Sequence, residues 1–217
     1  MTKIAVFYHL YQREYGDWAA LFREQYSLLM KSGLGWKADR VHIGINGDEK
    51  LSGFPPNFNI EHNLNIHMEE TDTLKSLLKY AEANKDAKIL YFHTKGVSRP
   101  SPEMTDWRRL MEYFCVEKWR DCVDLLDEHG AVGCNFMDDC YYGFYPHFSG
   151  NFWWATAEHI QRLDHSYLDA SGDHDSRFMR EFWIGSAGQE HLHELHHSGI
   201  VWHGAERYPP EKYRDDL

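Results

Sequence analysis

Lys88-Ile89-Leu90-Tyr91-Phe92-His93-Thr94-Lys95-Gly96 decides how this chain is read, because an apolar run stops there in a polar, glycine-ended turn carrying an imidazole and an ammonium. A short apolar run bounded by a turn signal is what a strand covered on both faces needs, and Ile89 to Phe92 has that form. In open α/β sheets, ligands bind just beyond the carboxyl ends of such strands. His93 and Lys95 are therefore expected at a ligand, and a cation beside exposed backbone N–H groups suits a phosphate. The alternative is an ordinary strand end, with Lys95 solvated and His93 capping a neighbour.

Upstream of this strand, Leu74, Leu77, Leu78 and Ala81 recur at three- and four-residue intervals. They predict an amphipathic helix that starts with Thr71 or Asp72 as N-cap and ends near Asn84. Lys3 to Tyr8 (KIAVFY) reads as a first buried strand, which His9 to Arg13 leave for a helix from about Asp17 to Lys31, stopped by Ser32-Gly33. Arg40 to Asn46 alternates Val41, Ile43 and Ile45 with polar or small residues and turns at Asn46-Gly47. Asn59 to His67 offers a third strand around Ile60 and Ile66. This order of strands and helices predicts an α/β fold with a mostly parallel central sheet flanked by helices.

Downstream, a loop with Pro100 and Pro102 leads into a helix from about Thr105 to Glu128, where Leu110, Phe114, Trp119, Val123 and Leu126 fall largely on one stripe. Ala131 to Phe136 reads as a strand, followed by an aromatic, glycine-punctuated loop. Phe148 to Ala155 reads as another strand, with Gly150 and Asn151 at its entry, and Glu158 to Leu163 as a short helix. Phe178 to Ile184 gathers aromatics around Glu181, and a His-rich segment runs to Tyr208-Pro209-Pro210. With no internal repeat or linker, residues 1–217 are expected to form one domain.

Composition narrows the function. The 217 residues are 42% hydrophobic and 26% charged, the balance of a soluble globular protein able to bury one sizeable core. No apolar run is long enough for a membrane span and no signal-peptide pattern opens the chain, so a cytoplasmic location is expected. The formal charge of -11 argues against a nucleic-acid partner, whose backbone demands a concentrated positive face. Cys115, Cys122, Cys134 and Cys140 match neither a CxxC pair nor a disulfide framework and read as reduced thiols. Eight Trp, thirteen Tyr and twelve Phe, many clustered with polar neighbours, suit rings that stack on bases or sugars, although core packing accounts for part of them.

In order, YFHTKG, WRRLMEYFCVEKW, PHFSGNFWWA, REFWIG and a late histidine before YPPEKYR resemble the small GT-A-type nucleotide-sugar glycosyltransferases. These act in bacterial capsular and O-antigen loci and in viruses that glycosylate their own capsids, among them the N-terminal domain of chlorella-virus capsid-glycosylating enzymes. The resemblance spans nearly the whole chain, with FHTKG and SGNFWW its most specific parts. It implies a Rossmann-like sheet that binds a nucleoside diphosphate sugar, UDP-linked by family resemblance, at its first half and a glycan or glycoprotein acceptor at its second. By the same resemblance Tyr8, His9 and Tyr11 would hold the nucleoside, with Thr71 and Asp72 nearby. GT-A enzymes usually place a metal-holding Asp-x-Asp after the central strand. Here that position reads His93-Thr94-Lys95, which puts dependence on manganese or magnesium in question.

The physical alternative to a metal is that His93 and Lys95 neutralise the diphosphate directly, since an ammonium donates in three directions to phosphate oxygens. Arg108 and Arg109 are second-rank candidates, with a solvated helix face as the plainer reading. Inverting transfer needs a carboxylate to take the acceptor's proton. The resemblance places that base after SGNFWW, and Glu181 in its aromatic surround fits, with Asp138 and Asp139 as rivals. Gly150 and Asn151 suit a sugar reader: the amide both donates and accepts, and glycine admits a ring close to the backbone. Trp153 and Trp154 point to opposite strand faces, so one is expected to line the site and the other to pack in the core. His197 and His203 are candidates for the late histidine that contacts diphosphate or metal in the broader fold.

Two other readings need weighing. His193-Glu194-Leu195-His196-His197 matches H-E-x-x-H, which on a helix would bind zinc as a metallohydrolase, although the downstream spacing and the lack of a later methionine depart from that pattern. Asp173-His174-Asp175 has the Asp-x-Asp form but lies in a late polar loop and reads as a turn. A non-catalytic carbohydrate-binding module would explain the aromatics but not His93 and Lys95 at a central strand end.

Overall fold

The computed structural model describes residues 2–12, 16–63, 70–138, 145–169 and 176–215. The strands are β1 (Ile4–Tyr11), β2 (Arg40–Asn46), β3 (Phe58–Asn63), β4 (Lys88–His93), β5 (Ala131–Cys134), β6 (Phe136–Met137), β7 (His147–Phe148), β8 (Trp153–Thr156) and β9 (Leu192–His196). The helices are α1 (Trp18–Lys31), α2 (Leu34–Lys37), α3 (Thr71–Ala83), α4 (Pro102–Glu112), α5 (Trp119–Leu125), α6 (Ala157–Arg162) and α7 (Ser176–Phe182). Seven strands form one sheet in the order β3-β2-β1-β4-β8-β5-β9, and β6 pairs with β7 beside it. The fold is α/β and Rossmann-like: a mostly parallel central sheet flanked by helices.

Alternation along the strands builds both faces. On β1, Val6, Tyr8 and Leu10 face α1 and the α4–α5 segment, while Ala5 and Phe7 face α3 and α6. On β4, Leu90 and Phe92 join the first layer and Ile89 and Tyr91 the second. Each such aliphatic side chain, fully buried, contributes about 1.5–3 kcal/mol, so a strand covered on both faces is worth far more than a half-solvated one. That is why the central strands read as unbroken apolar runs.

Several boundaries differ from the expectation. The first strand continues through His9 and Leu10 to Tyr11, held by β2 on one side and β4 on the other. The expected helix over 105–128 is two helices joined by a π-helical turn, Tyr113–Glu117, in which Lys118 N–H donates to Tyr113 C=O at 2.9 Å. One residue inserted into a helical stripe leaves little trace in periodicity. The third strand is described to Asn63; Ile66 lies outside the described residues. The expected strand over 148–155 is interrupted by a turn at Ser149–Asn151, where Gly150 has φ 97° and Asn151 φ 60°. After that turn β8 enters antiparallel between β4 and β5, with Tyr91 opposite Trp153. The start of β8 thus lies beside the end of β4, and the parallel sheet gains an antiparallel strand next to the carboxyl end of β4.

Candidate functional site

At the carboxyl end of β4 the chain turns so that Thr94 N–H donates to His9 C=O at 3.1 Å, and Thr94 Oγ1 accepts from Tyr11 N–H at 3.0 Å. The turn positions the two cationic candidates. His93 Nε2 lies 3.0 Å from Gly150 C=O, tying β4 to the β8 entry. Lys95 is only 7% exposed, and its Nζ stands 4.1 Å from the centroid of the Trp107 ring on α4. His203 stacks on the same indole, with ring centroids 4.9 Å apart. Among the described residues Lys95 makes no ion pair, and the ring nitrogens Trp107 Nε1 and His203 Nε2 are buried without partners. A buried ammonium with no counter-charge is costly unless an anion arrives.

A second cluster lies at the start of α3. Glu70 occupies its N-cap position, so neither Thr71 nor Asp72 caps it as expected, and the Glu70 side chain makes no capping hydrogen bond. The Glu70 carboxylate instead accepts from Tyr91 Oη and, at 2.8 Å, from Asn151 Nδ2. Asn151 Oδ1 in turn accepts from Trp153 Nε1 at 2.7 Å. Arg180 on α7 donates through Nε to Thr71 Oγ1. His9 is held through Nδ1 against Thr73 Oγ1 at 2.9 Å. Glu181, half-buried beside Arg180, lies within electrostatic reach of Tyr91 and His147.

Burial sets the charge state of this edge. It drives His9 down to about 4, with Glu70 opposing and His93 reinforcing the shift. It lowers His203 to about 4, assisted by Lys95 and His197. His147 is lowered by burial too, against a hydrogen bond to Tyr145 C=O and the Glu181 carboxylate. These imidazoles are neutral at neutral pH, so the positive charge beside Trp107 is that of Lys95.

Other expected site residues lie elsewhere. Tyr8 is a core residue: its ring stacks on Phe92 at 4.5 Å and its hydroxyl donates to Gln25 on α1. Trp153 and Trp154 are both fully buried, so neither lines the edge, and the Trp154 indole N–H is spent on Cys115 C=O. Asn151 sits at the edge, but its amide is engaged on both sides within the protein. Gly150 is favoured chiefly by its φ of 97°, and a Cβ there would also press on the Met111 thioether at 2.5 Å and the Trp107 ring at 3.1 Å. Arg108 is neither solvated nor available: it is buried in an ion pair with Glu112 and also reaches Glu24. Arg109 is half-exposed near Glu24. Tyr11 is half-buried at the end of β1, and Asp72 is half-buried in the first turn of α3. Asp138 is exposed after β6. Asp139, Cys140 and Asp173-His174-Asp175 lie outside the described residues. Cys115, Cys122 and Cys134 are free and buried.

The H-E-x-x-H segment forms strand β9 rather than a helix, which removes the geometry of a helical zinc site. Glu194 accepts from Phe136 N–H at 2.7 Å and pairs with exposed His197, while His193 stacks on His129. Among the described residues no three His, Cys, Asp or Glu side chains are grouped to hold an ion. The described strand end carries an ammonium, which repels a divalent cation, so it does not fit the metal of GT-A enzymes. Sequence reading missed Glu70, Trp107, His147 and Arg180. Trp107 alone had a signal, as an aromatic beside the Arg108-Arg109 pair; the others come together only through tertiary packing.

The chain belongs to the family described as a domain of unknown function, DUF8361, whose model matches residues 7–212. No curated protein sequence matches it. Among solved structures, it is similar to a nucleotidyl transferase from Methanothermobacter, 12% identical over 98% of this chain and 95% of that one, with a TM-score of 0.48. It is also similar to 4-diphosphocytidyl-2C-methyl-D-erythritol synthase from Anaerococcus prevotii, 13% identical over 90% and 89% of the two chains, TM-score 0.46. A Mycobacterium tuberculosis protein is 13% identical over 90% and 88%, TM-score 0.43. Likenesses this distant carry nothing about activity. No helix among the described residues is long and apolar enough to cross a membrane.

Proposed function

We propose that this protein is a glycosyltransferase that moves a sugar from a nucleoside diphosphate donor, UDP-linked by the sequence resemblance, to the hydroxyl of a glycan or glycoprotein acceptor. The observation that carries the reading is Lys95: a nearly buried ammonium at the carboxyl end of the central strand, set on an indole and lacking any carboxylate partner among the described residues. Such a charge is matched to a ligand that brings its own negative charge, and a diphosphate leaving group does so most when it departs.

In this mechanism the Lys95 ammonium binds the diphosphate oxygens, with His93 fixed against Gly150 C=O at the same strand end. Glu181 accepts the proton of the acceptor hydroxyl as that oxygen bonds to the anomeric carbon. The bond from that carbon to the diphosphate oxygen breaks with both electrons, and the nucleoside diphosphate leaves with its added charge facing Lys95. Configuration inverts because attack and departure occur on opposite faces. No step runs through a metal.

The test is release of free nucleotide from a panel of UDP-, GDP-, ADP- and dTDP-activated sugars in the presence of simple glycosides, with EDTA or manganese in parallel. Turnover of one donor that persists in EDTA supports the reading. Turnover only with manganese overturns the metal-free step. The absence of both turnover and nucleotide binding overturns the function.

A further inference from the structure

Beyond the β4 end, β5 closes with Asn135, a residue in the left-handed region at φ 51°, which asparagine tolerates better than most. Asn135 is 1% exposed and its amide is held in one orientation, because Oδ1 accepts from Ser198 N–H at 2.8 Å. Its Nδ2 is buried and has no partner among the described residues. The residue lines a small open cleft of about 180 Å³, together with Asp138, His197, Ile200 and Val201. Ile200 and Val201, the latter 52% exposed, give the lining apolar surface, and Asn135 and Asp138 give it an amide donor and a carboxylate acceptor. That combination matches a neutral sugar ring, which presents vicinal hydroxyls on its edge and a C–H face above.

The cleft adjoins the candidate site. Asn135 C=O accepts from Ser149 N–H at 3.0 Å, next to the Gly150 that holds His93. His203 follows the apolar wall and lies within electrostatic reach of both Lys95 and His197. We propose that this cleft is the acceptor subsite and takes the terminal neutral hexose of a glycan: the Asn135 amide donates to one ring hydroxyl, Asp138 accepts from its neighbour, and Ile200 and Val201 cover the C–H face. An acidic or phosphorylated acceptor is disfavoured, since Asp138 faces the same cleft and the charge of the whole chain is -11. The assignment rests on the transferase reading for the word acceptor, but not for sugar binding itself.

The experiment is saturation-transfer NMR on the full chain with methyl glycosides of glucose, galactose, mannose and rhamnose, with and without UDP. The variants are Asn135→Gly, which keeps the left-handed backbone, and Asp138→Asn, which changes an exposed residue and leaves the fold unstressed. At least one glycoside is expected to show transfer with the wild type, at least tenfold weakened in both variants, while their thermal shift with UDP is unchanged. Transfer equal in wild type and Asp138→Asn, or no transfer from any of the glycosides, overturns the subsite. Glycoside transfer at this cleft without any nucleotide binding keeps the sugar site and overturns the transferase.

Discussion

Replacing Lys95 with methionine separates a ligand-binding charge from a structural one. In the free protein the ammonium is 7% exposed and rests on Trp107 without an ion pair among the described residues. The substitution forfeits a cation–π contact of about 0.5–2 kcal/mol. It gains a sulfur–aromatic contact of about 0.3–1.5 kcal/mol and removes the cost of burying an unmatched charge. Unliganded stability is therefore expected to stay level or rise. Binding behaves oppositely, since truncating one partner of a buried charge pair costs about 2–5 kcal/mol, roughly 30- to 4,000-fold in Kd. At nucleotide about a hundredfold over Kd, ligand stabilises the wild type by about 2.7 kcal/mol. For a chain of this size that is a rise in Tm of roughly 5–11 °C. The Lys95→Met protein at the same concentration should rise by no more than about 3 °C. A full shift in the variant, or an unliganded Tm several degrees below wild type, refutes the argument that Lys95 is held in reserve for an anion.

Glu181→Gln should lower kcat by about 10²–10⁴-fold while leaving the nucleotide-induced Tm shift intact; an equal loss of both would remove Glu181 from the role of base. Glu70→Ala leaves Tyr91 Oη and Asn151 Nδ2 without their acceptor, and chemical denaturation should show a loss of about 2–5 kcal/mol; a loss under about 1 kcal/mol would mean the cluster relaxes freely. His9, His42 and His203 each have a folded pKa lowered to about 4, from 6.5. The unfolded chain binds their protons first, so stability present at neutral pH is lost as pH falls from 6.5 toward 4, at about 1.4 kcal/mol per pH unit for each histidine. Denaturation midpoints across that window should fall less steeply for His9→Asn, and an unchanged slope would show that His9 already carries its proton in the folded state.

The parallel half of the fold was legible because its signals are local. Lys88 to Phe92, Arg40 to Asn46 and the Leu74–Ala81 stripe each carry their own period, and their order dictates the connection. The antiparallel insertion of β8 was not legible, since Trp153, Trp154 and Ala155 would be equally apolar in either direction. What distinguishes the two is the turn at Gly150-Asn151, and positive φ at an asparagine has no unique sequence mark. The candidate site divides in the same way. Lys95 and His93 follow from a strand end, whereas Arg180 and Thr71 lie 109 residues apart and meet only where the end of α7 reaches the start of α3. The H-E-x-x-H match misled because a short pattern states spacing but not secondary structure, and β9 takes that segment as an edge strand beside β5.

Asn151 shows how an amide expected to read a ligand can be committed inside the protein. An amide at a ligand-binding edge suggests recognition, because it can donate and accept at once. Here both capacities are used inside the protein: Nδ2 satisfies Glu70, and Oδ1 takes the Trp153 indole N–H. The left-handed backbone that this bonding fixes sets Gly150, and the Gly150 carbonyl sets His93. Asn151 thus acts on the strand end at one remove, as a positioning residue. Two polar groups near this edge stay uncommitted among the described residues: the Lys95 ammonium beside Trp107, which makes no ion pair, and the Asn135 amide at the end of β5. The Lys95 ammonium and the Asn135 amide lie just beyond the carboxyl ends of β4 and β5, on either side of β8.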